Sequence, residues 1–273
     1  EDARDAVAAL VGARPAEVVL TSGGTEANNL AIRGVCERRV LASAVEHPSA
    51  LGAADAICLV PVDGDGVVDL AALTALLAAD TTPALVSVLL ANNETGIVQP
   101  LASVAEIAHS HGAVLHCDAV QAAGKIVVDC KNLGVALLTL SAHKLGGPAG
   151  VGALVIAGDV TVTAVNCGGG QERGQRGGTE NVAYIVAFGK AAELALGQID
   201  DENTRVRALR DKLERGILQT IRGSVRNGGG EPRLPNTTNI GFDGVEAEAI
   251  LLLLDREGIC ASSGSACTTG SIE

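Results

Sequence analysis

Short apolar runs that end abruptly in glycine-rich or polar clusters recur through the first two-thirds of this chain, each answered by a helix-like stretch. That alternation limits its folds more than any other feature. Val18, Val19 and Leu20 precede Thr21-Ser22-Gly23-Gly24-Thr25-Glu26, and a helix is predicted from Thr25 onward. Residues 84–90 read as a buried strand ending in Asn92-Asn93-Glu94-Thr95-Gly96, followed by a helix over 101–111. Residues 113–117, 135–140 and 152–156 read as further strands. Strands alternating with helices predict an α/β fold with a mainly parallel sheet.

From residue 183 the pattern becomes helical, first through 195 and then over 204–221. The glycine- and proline-rich stretch 222–235 reads as loop. A strand at 238–242, a helix over 246–256 and a short strand at 258–261 complete the expectation. The division is a large domain over 1–200 and a smaller α+β domain over 201–273.

The chain has 273 residues, 47% apolar and 19% charged, enough for a sizeable core. No uninterrupted apolar run reaches the roughly 18 residues of a membrane span, and no signal-peptide pattern opens the chain. A formal net charge of −12 argues against nucleic acid or an anionic membrane as partner. There is no methionine, so residue 1 is not expected to be a translation start. The seven cysteines include no C-x-x-C pair, so no metal site is expected; their odd, scattered placement fits reduced thiols in a cytoplasm. Most of them are expected to be small core residues.

In an open α/β sheet, ligands bind at the carboxyl ends of strands, which is where the polar clusters fall. In residues 21–26, glycines let the backbone approach an anion and the helix start offers free N–H groups; an ordinary capped turn fits as well. In His116-Cys117-Asp118-Ala119-Val120-Gln121, alternation puts His116 and Asp118 on one face. A strand-end carboxylate can keep a pyridine nitrogen protonated, or it can cap a helix. Ser141-Ala142-His143-Lys144-Leu145-Gly146-Gly147-Pro148 follows a strand directly. A lysine there forms an imine only when neutral, and partial burial beside other cations would favour that. The amides of Asn92 and Asn93 suit a ligand hydroxyl or carboxylate, and equally a turn.

Taken together, Thr-Ser-Gly-Gly-Thr-Glu-Ala-Asn-Asn, Glu46-His47-Pro48-Ser49, Ala-Asn-Asn-Glu-Thr-Gly, His-Cys-Asp-Ala-Val-Gln, Ser-Ala-His-Lys and Gly168-Gly169-Gly170-Gln171-Glu172-Arg173-Gly174 resemble the cysteine desulfurases. These are class V aminotransferase-fold enzymes of the nitrogen-fixation and iron–sulfur-cluster type. Ala261-Ser262-Ser263-Gly264-Ser265-Ala266-Cys267-Thr268 is similar to that family's persulfide-forming loop.

The resemblance implies the aspartate aminotransferase-like fold of pyridoxal 5′-phosphate (PLP) enzymes, with the cofactor in the large domain. It implies that Lys144 carries the cofactor as a Schiff base and then moves protons, that Asp118 pairs with the pyridinium nitrogen, and that Gln121 meets the ring hydroxyl. His47 would stack on the ring and carry protons. Gly24, Thr25, Ser141 and His143 would hold the phosphate, with Thr179 supplied across a homodimer interface. Asn93 would touch cofactor and substrate carboxylate. Cys267 would take sulfur from L-cysteine, leaving L-alanine, and pass it to an iron–sulfur scaffold or another acceptor protein. Family members begin earlier and continue past the cysteine loop, where their substrate-carboxylate arginine lies. A selenocysteine lyase or a small-amino-acid aminotransferase of the same fold is the alternative. The Ser-Gly-Ser-Ala-Cys loop favours the desulfurase, since an aminotransferase needs no mobile thiol.

Overall fold

The computed structural model describes every residue except Cys36, Gly158, Asp159, Glu231 and 265–273. Helix α1 (Asp2–Leu10) leads to strand β1 (Val18–Thr21), α2 (Gly24–Gly34), β2 (Arg39–Ser43), the single turn α3 (Pro48–Leu51) and β3 (Ile57–Val60). Then come α4 (Leu70–Ala79), β4 (Ala84–Ser87), α5 (Leu101–Ser110), β5 (Val114–Asp118), β6 (Leu137–Ser141) and β7 (Gly152–Ile156). The long α6 (Val182–Thr220), β8 (Ser224–Arg226), β9 (Ile240–Phe242) and α7 (Ala247–Arg256) follow.

Seven strands form one sheet in the order β1-β7-β6-β5-β4-β2-β3. Strands β2 to β6 pair in parallel, while β7 runs against both β6 and β1. The reversal has a simple cause. The link from Ser141 to Gly152 is shorter than the dozen or more residues that a parallel crossover needs, so the chain turns back on itself. Lys144 sits in that link, within a 3₁₀ turn over Ala142–Leu145.

Both faces of the sheet are covered, as parallel strands require. Val18, Leu41, Val86, Leu115, Leu138 and Val155 join one buried cluster, and their sequence neighbours Val19, Val40, Leu85, Leu137 and Leu154 join the other. Strand alternation thus sorts adjacent side chains between two cores. Helix α2 closes the second core through Ala27, Leu30 and Ala31. On the first face α1 lies against α6, where a Cβ on Gly189 would come 2.5 Å from the Ala3 Cα; glycine there permits the close approach.

The predicted large-domain strands and helices are present, with β4 ending earlier than expected. The two helical stretches after residue 183 are one continuous helix, so the division near residue 200 falls inside α6. Among the described residues, α6 is also the one helix long and apolar enough to cross a membrane by length and composition. Its Phe188, Ala191 and Ala192 are buried. The 222–235 stretch is not all loop, since β8 pairs antiparallel with β9.

No strand forms at 258–261, and Cys260, within that stretch, is exposed. The five cysteines among the described residues also depart from expectation: Cys117 and Cys130 are buried, whereas Cys58, Cys167 and Cys260 are exposed. Cys58 lies on β3, one of the two edge strands, where one flank has no neighbouring strand among the described residues.

Candidate active site

The register of the sheet brings the polar clusters to one level. Thr21 of β1 and Ser141 of β6 both pair with Gly152 of β7, and Asp118 of β5 pairs with Thr139, two residues below Ser141 on the same strand. Helix α2 descends over this end of the sheet. Gly24 packs so closely that a Cβ there would lie 2.9 Å from Val120 Cγ2 and 3.6 Å from Ser141 Cβ. One helical turn on, Asn28 Nδ2 donates to Asp118 Oδ2 at 2.7 Å. Four helical residues rise about 6 Å and two strand residues about 6.6 Å, so the helix and the strands keep step. Two polar ends result, one at Gly24 and Ser141, the other at Asn28 and Asp118.

The first end suits an anion. Helix α2 begins after Gly23 with no side-chain cap, leaving first-turn N–H groups available. Ser141 Oγ lies 2.9 Å from His143 Nδ1. Burial and the positive charges of Lys144 and Lys125 both lower the His143 pKa. Glu26, in the first turn of α2, is held by other partners: it accepts from Ser22 N at 2.7 Å and pairs with Arg176 at 2.7 Å. Lys144 is exposed rather than partly buried, because its turn opens outward between β6 and β7. The cation expected beside it is Lys125, whose pKa is pushed down to about 8 by burial and then by Lys144.

The second end suits a protonated ring nitrogen. Asp118 is buried, which raises its pKa, while hydrogen bonds from Asn28 and from Val120 N act against that rise. Each oxygen accepts one such bond and retains a lone pair, so a ring N–H can be received without displacing either donor. Asp118 Oδ1 caps a turn at Val120 rather than a helix. Beneath it, His116 bridges three strands, with Nδ1 2.9 Å from Ser87 Oγ and Nε2 3.0 Å from Thr139 Oγ1. Burial lowers its pKa to about 3, so it is a neutral strut.

His47 caps α3, accepting from Ser49 N at 3.1 Å on Nδ1, which also lies 2.7 Å from Ser49 Oγ. Ser49 Oγ is in turn 2.9 Å from Asn28 Nδ2. The preceding Glu46 is buried and accepts from Ser43 Oγ at 2.7 Å and Leu89 N at 2.6 Å. Its pKa is pushed up to about 8 by burial, with the Asp118 charge adding to the rise. Asn28 Oδ1 and Glu46 Oε2 are buried without a hydrogen-bond partner among the described residues. Each such orphan costs about 1–3 kcal/mol.

Gln121 is half-buried and its Oε1 accepts from Lys125 Nζ at 3.2 Å. Asn93 is half-buried in the neighbouring turn, where Asn92 rather than Asn93 supplies the turn chemistry by accepting from Glu94 N and Thr95 N. Thr179 is exposed, just before α6. Cys267 lies outside the described residues. Asn28, Ser49, Glu46 and Lys125 were not singled out from sequence. Asn28, Glu46 and Ser49 stand inside quoted motifs, but nothing local in the sequence marks them as site residues.

The residues present fit PLP. An uncapped helix start with two polar side chains faces one end, a buried carboxylate with open lone pairs stands one turn away, and an exposed lysine lies on the adjoining turn.

Comparison with known proteins agrees. The model of the class-V aminotransferase family matches residues 1–272. A cysteine desulfurase of Gluconacetobacter diazotrophicus is 46% identical over 289 residues, covering 99% of this chain and 71% of that protein. The cysteine desulfurase NifS of Azotobacter vinelandii is 45% identical, covering 99% of this chain and 70% of that one. Among solved structures, a NifS-like protein from Rickettsia africae superposes with a TM-score of 0.91 at 35% identity, over 100% of this chain and 78% of that chain.

Proposed function

This chain belongs to the class-V aminotransferase family, and we infer that it works there as a PLP-dependent cysteine desulfurase, taking sulfur from L-cysteine and leaving L-alanine. The observation that carries the reading is the one-turn spacing that sets the Gly24–Ser141 anion end against the Asn28–Asp118 acid end, with Lys144 on the joining turn. Bound between them, PLP supplies an electron sink for charge that develops at the substrate Cα.

Each residue then has a distinct task. The α2 start with Gly24 and Thr25, together with Ser141 and His143, orients the phosphate. Asp118 accepts the ring N–H and holds that proton in place. Gln121 addresses the ring hydroxyl, and Asn93 the substrate carboxylate. Lys144 anchors the cofactor and afterwards carries the Cα proton, while His47 stacks on the ring and relays protons. Cys267 completes the reaction as its thiolate attacks the substrate sulfur. An S–S bond forms, the Cβ–S bond breaks, and its electron pair returns to the carbon skeleton, which is protonated to alanine.

We further propose a homodimer, in which Thr179 reaches the partner's phosphate site. Val182, Tyr184 and Val186, exposed at the start of α6 beside it, offer an apolar surface for that contact. An iron–sulfur scaffold or another sulfur acceptor in the cytoplasm would receive the persulfide sulfur.

Incubating the purified, PLP-loaded protein with L-cysteine and a reductant tests the reading. Alanine and sulfide should appear in equal amounts, and Lys144→Ala should abolish both. Transamination of alanine without sulfide release would favour the aminotransferase alternative instead.

A further inference from the structure

We propose that Asn28 and Ser49 are positioning residues that fix the His47 proton on Nε2, through a chain of hydrogen bonds whose directions are set by the Asp118 carboxylate.

The direction of every link follows from the chemistry of its groups. An ionised carboxylate only accepts, so the group that Asn28 turns to Asp118 Oδ2, at 2.7 Å, must be its NH₂. The second hydrogen of that NH₂ goes to Ser49 Oγ at 2.9 Å, making the serine oxygen an acceptor on that side. The serine hydrogen is thereby released toward His47 Nδ1, 2.7 Å away. The Ser49 main-chain N–H, which can only donate, reaches the same nitrogen at 3.1 Å. With two donors aimed at it, Nδ1 is the bare nitrogen and the neutral ring carries its proton on Nε2.

The unpartnered Asn28 Oδ1 supports this orientation. Asn28 is only 1% exposed, so no solvent rewards the oxygen for pointing away from the chain. The amide is held by what its NH₂ donates to, despite what its oxygen lacks. The hydrogen-bond chain therefore joins the carboxylate assigned to the ring N–H to the group assigned the proton relay.

The inference rests on the proposed role of His47 for its consequence, but its first readout does not. Long-range ¹⁵N–¹H NMR of the ¹⁵N-histidine-labelled holoenzyme, at a pH where the ring is neutral, reports the tautomer directly; a His47→Gln sample assigns the signal. The wild type should show the Nε2–H form. Observation of the Nδ1–H form would overturn the proposal without any variant having to fold.

In Asn28→Asp the two facing carboxylates share one proton, so residue 28 keeps a hydrogen toward Asp118 but presents an acceptor to Ser49; the Ser49 hydroxyl should turn toward residue 28 and present a lone pair to Nδ1. The Nδ1–H share should then rise from below detection to a comparable population. The same change should lower kcat about tenfold to a hundredfold with KM nearly unchanged, whereas Ser49→Thr, which keeps the hydroxyl, should retain both the tautomer and kcat. Unaltered His47 nitrogen shifts in Asn28→Asp would refute a directing role. If the wild type shows the expected tautomer but no desulfurase activity, the functional reading fails while the hydrogen-bond chain stands.

Discussion

Lys125 Nζ donates to Gln121 twice, to its main-chain carbonyl at 2.8 Å and to its side-chain Oε1 at 3.2 Å. The lysine thereby decides which end of the amide is occupied. With Oε1 taken, the NH₂ is the end left for the ring hydroxyl proposed as the partner of Gln121, which as an oxyanion would need donors. Burial of Lys125 comes at a cost visible in its lowered pKa, and the positive charge of Lys144 adds to it.

Lys125→Met should therefore leave the fold intact but free Gln121 to turn. Loss of one orienting hydrogen bond to a charged donor is worth about 1.5 kcal/mol, or roughly a tenfold rise in the Kd for PLP. Titration of cofactor-free protein with PLP, followed by its visible absorbance, measures this. An unchanged Kd would show that Gln121 is held in some other way.

Glu46 gives a pH dependence of definite sign. Its folded pKa stands near 8, above the value of an unfolded glutamate, so the folded state binds the extra proton. Below the unfolded pKa of about 4.3 the group is neutral in both states and imposes nothing. As pH rises from there through 8, the folded protein loses stability, and above 8 the penalty is constant. Glu46→Gln should remove this slope and raise stability at pH 9 by several kcal/mol in order of magnitude. Denaturant unfolding of both proteins at a series of pH values checks it; parallel curves across that range would contradict the assignment.

Beyond the sheet, one carboxylate gathers the later part of the chain. Glu214 of α6 accepts from Arg233 at 3.0 Å, Arg226 at 2.9 Å and Thr238 at 2.6 Å. Although burial pushes its pKa up, these bonds outweigh it and hold the carboxyl at about 2. Arg233 is 2% exposed, so Arg233→Met breaks a buried pair and should cost about 3 kcal/mol. Thermal unfolding measures the loss. In the parent protein this contribution is present above the unfolded glutamate pKa and is lost as pH falls toward 2.

Much of this is legible in the sequence because strand ends announce themselves. Lys144 and Asp118 each follow or close an apolar run, and period-2 alternation by itself places His116 and Asp118 on one face. The reversal of β7 is harder to see, since an apolar run carries no direction; only the shortness of the Ser141–Gly152 link gives it away. Asn28 is illegible for a different reason. Its partner Asp118 is remote in sequence, and the pair meets only because one turn of helix matches two residues of strand. The exposure of Cys260 and Lys144 likewise depends on what packs beside them, which local pattern does not encode.

The central claim is that sulfur leaves L-cysteine onto a thiol of this chain, on Cys267. The most direct measurement is the intact mass and peptide map of the PLP-loaded protein after a single turnover with L-cysteine, without reductant. One extra sulfur atom on the Cys267 peptide, absent from Cys267→Ala although that variant keeps its cofactor colour, is the expected result. Full alanine and sulfide production by Cys267→Ala, or the added sulfur residing on another cysteine, would contradict the account.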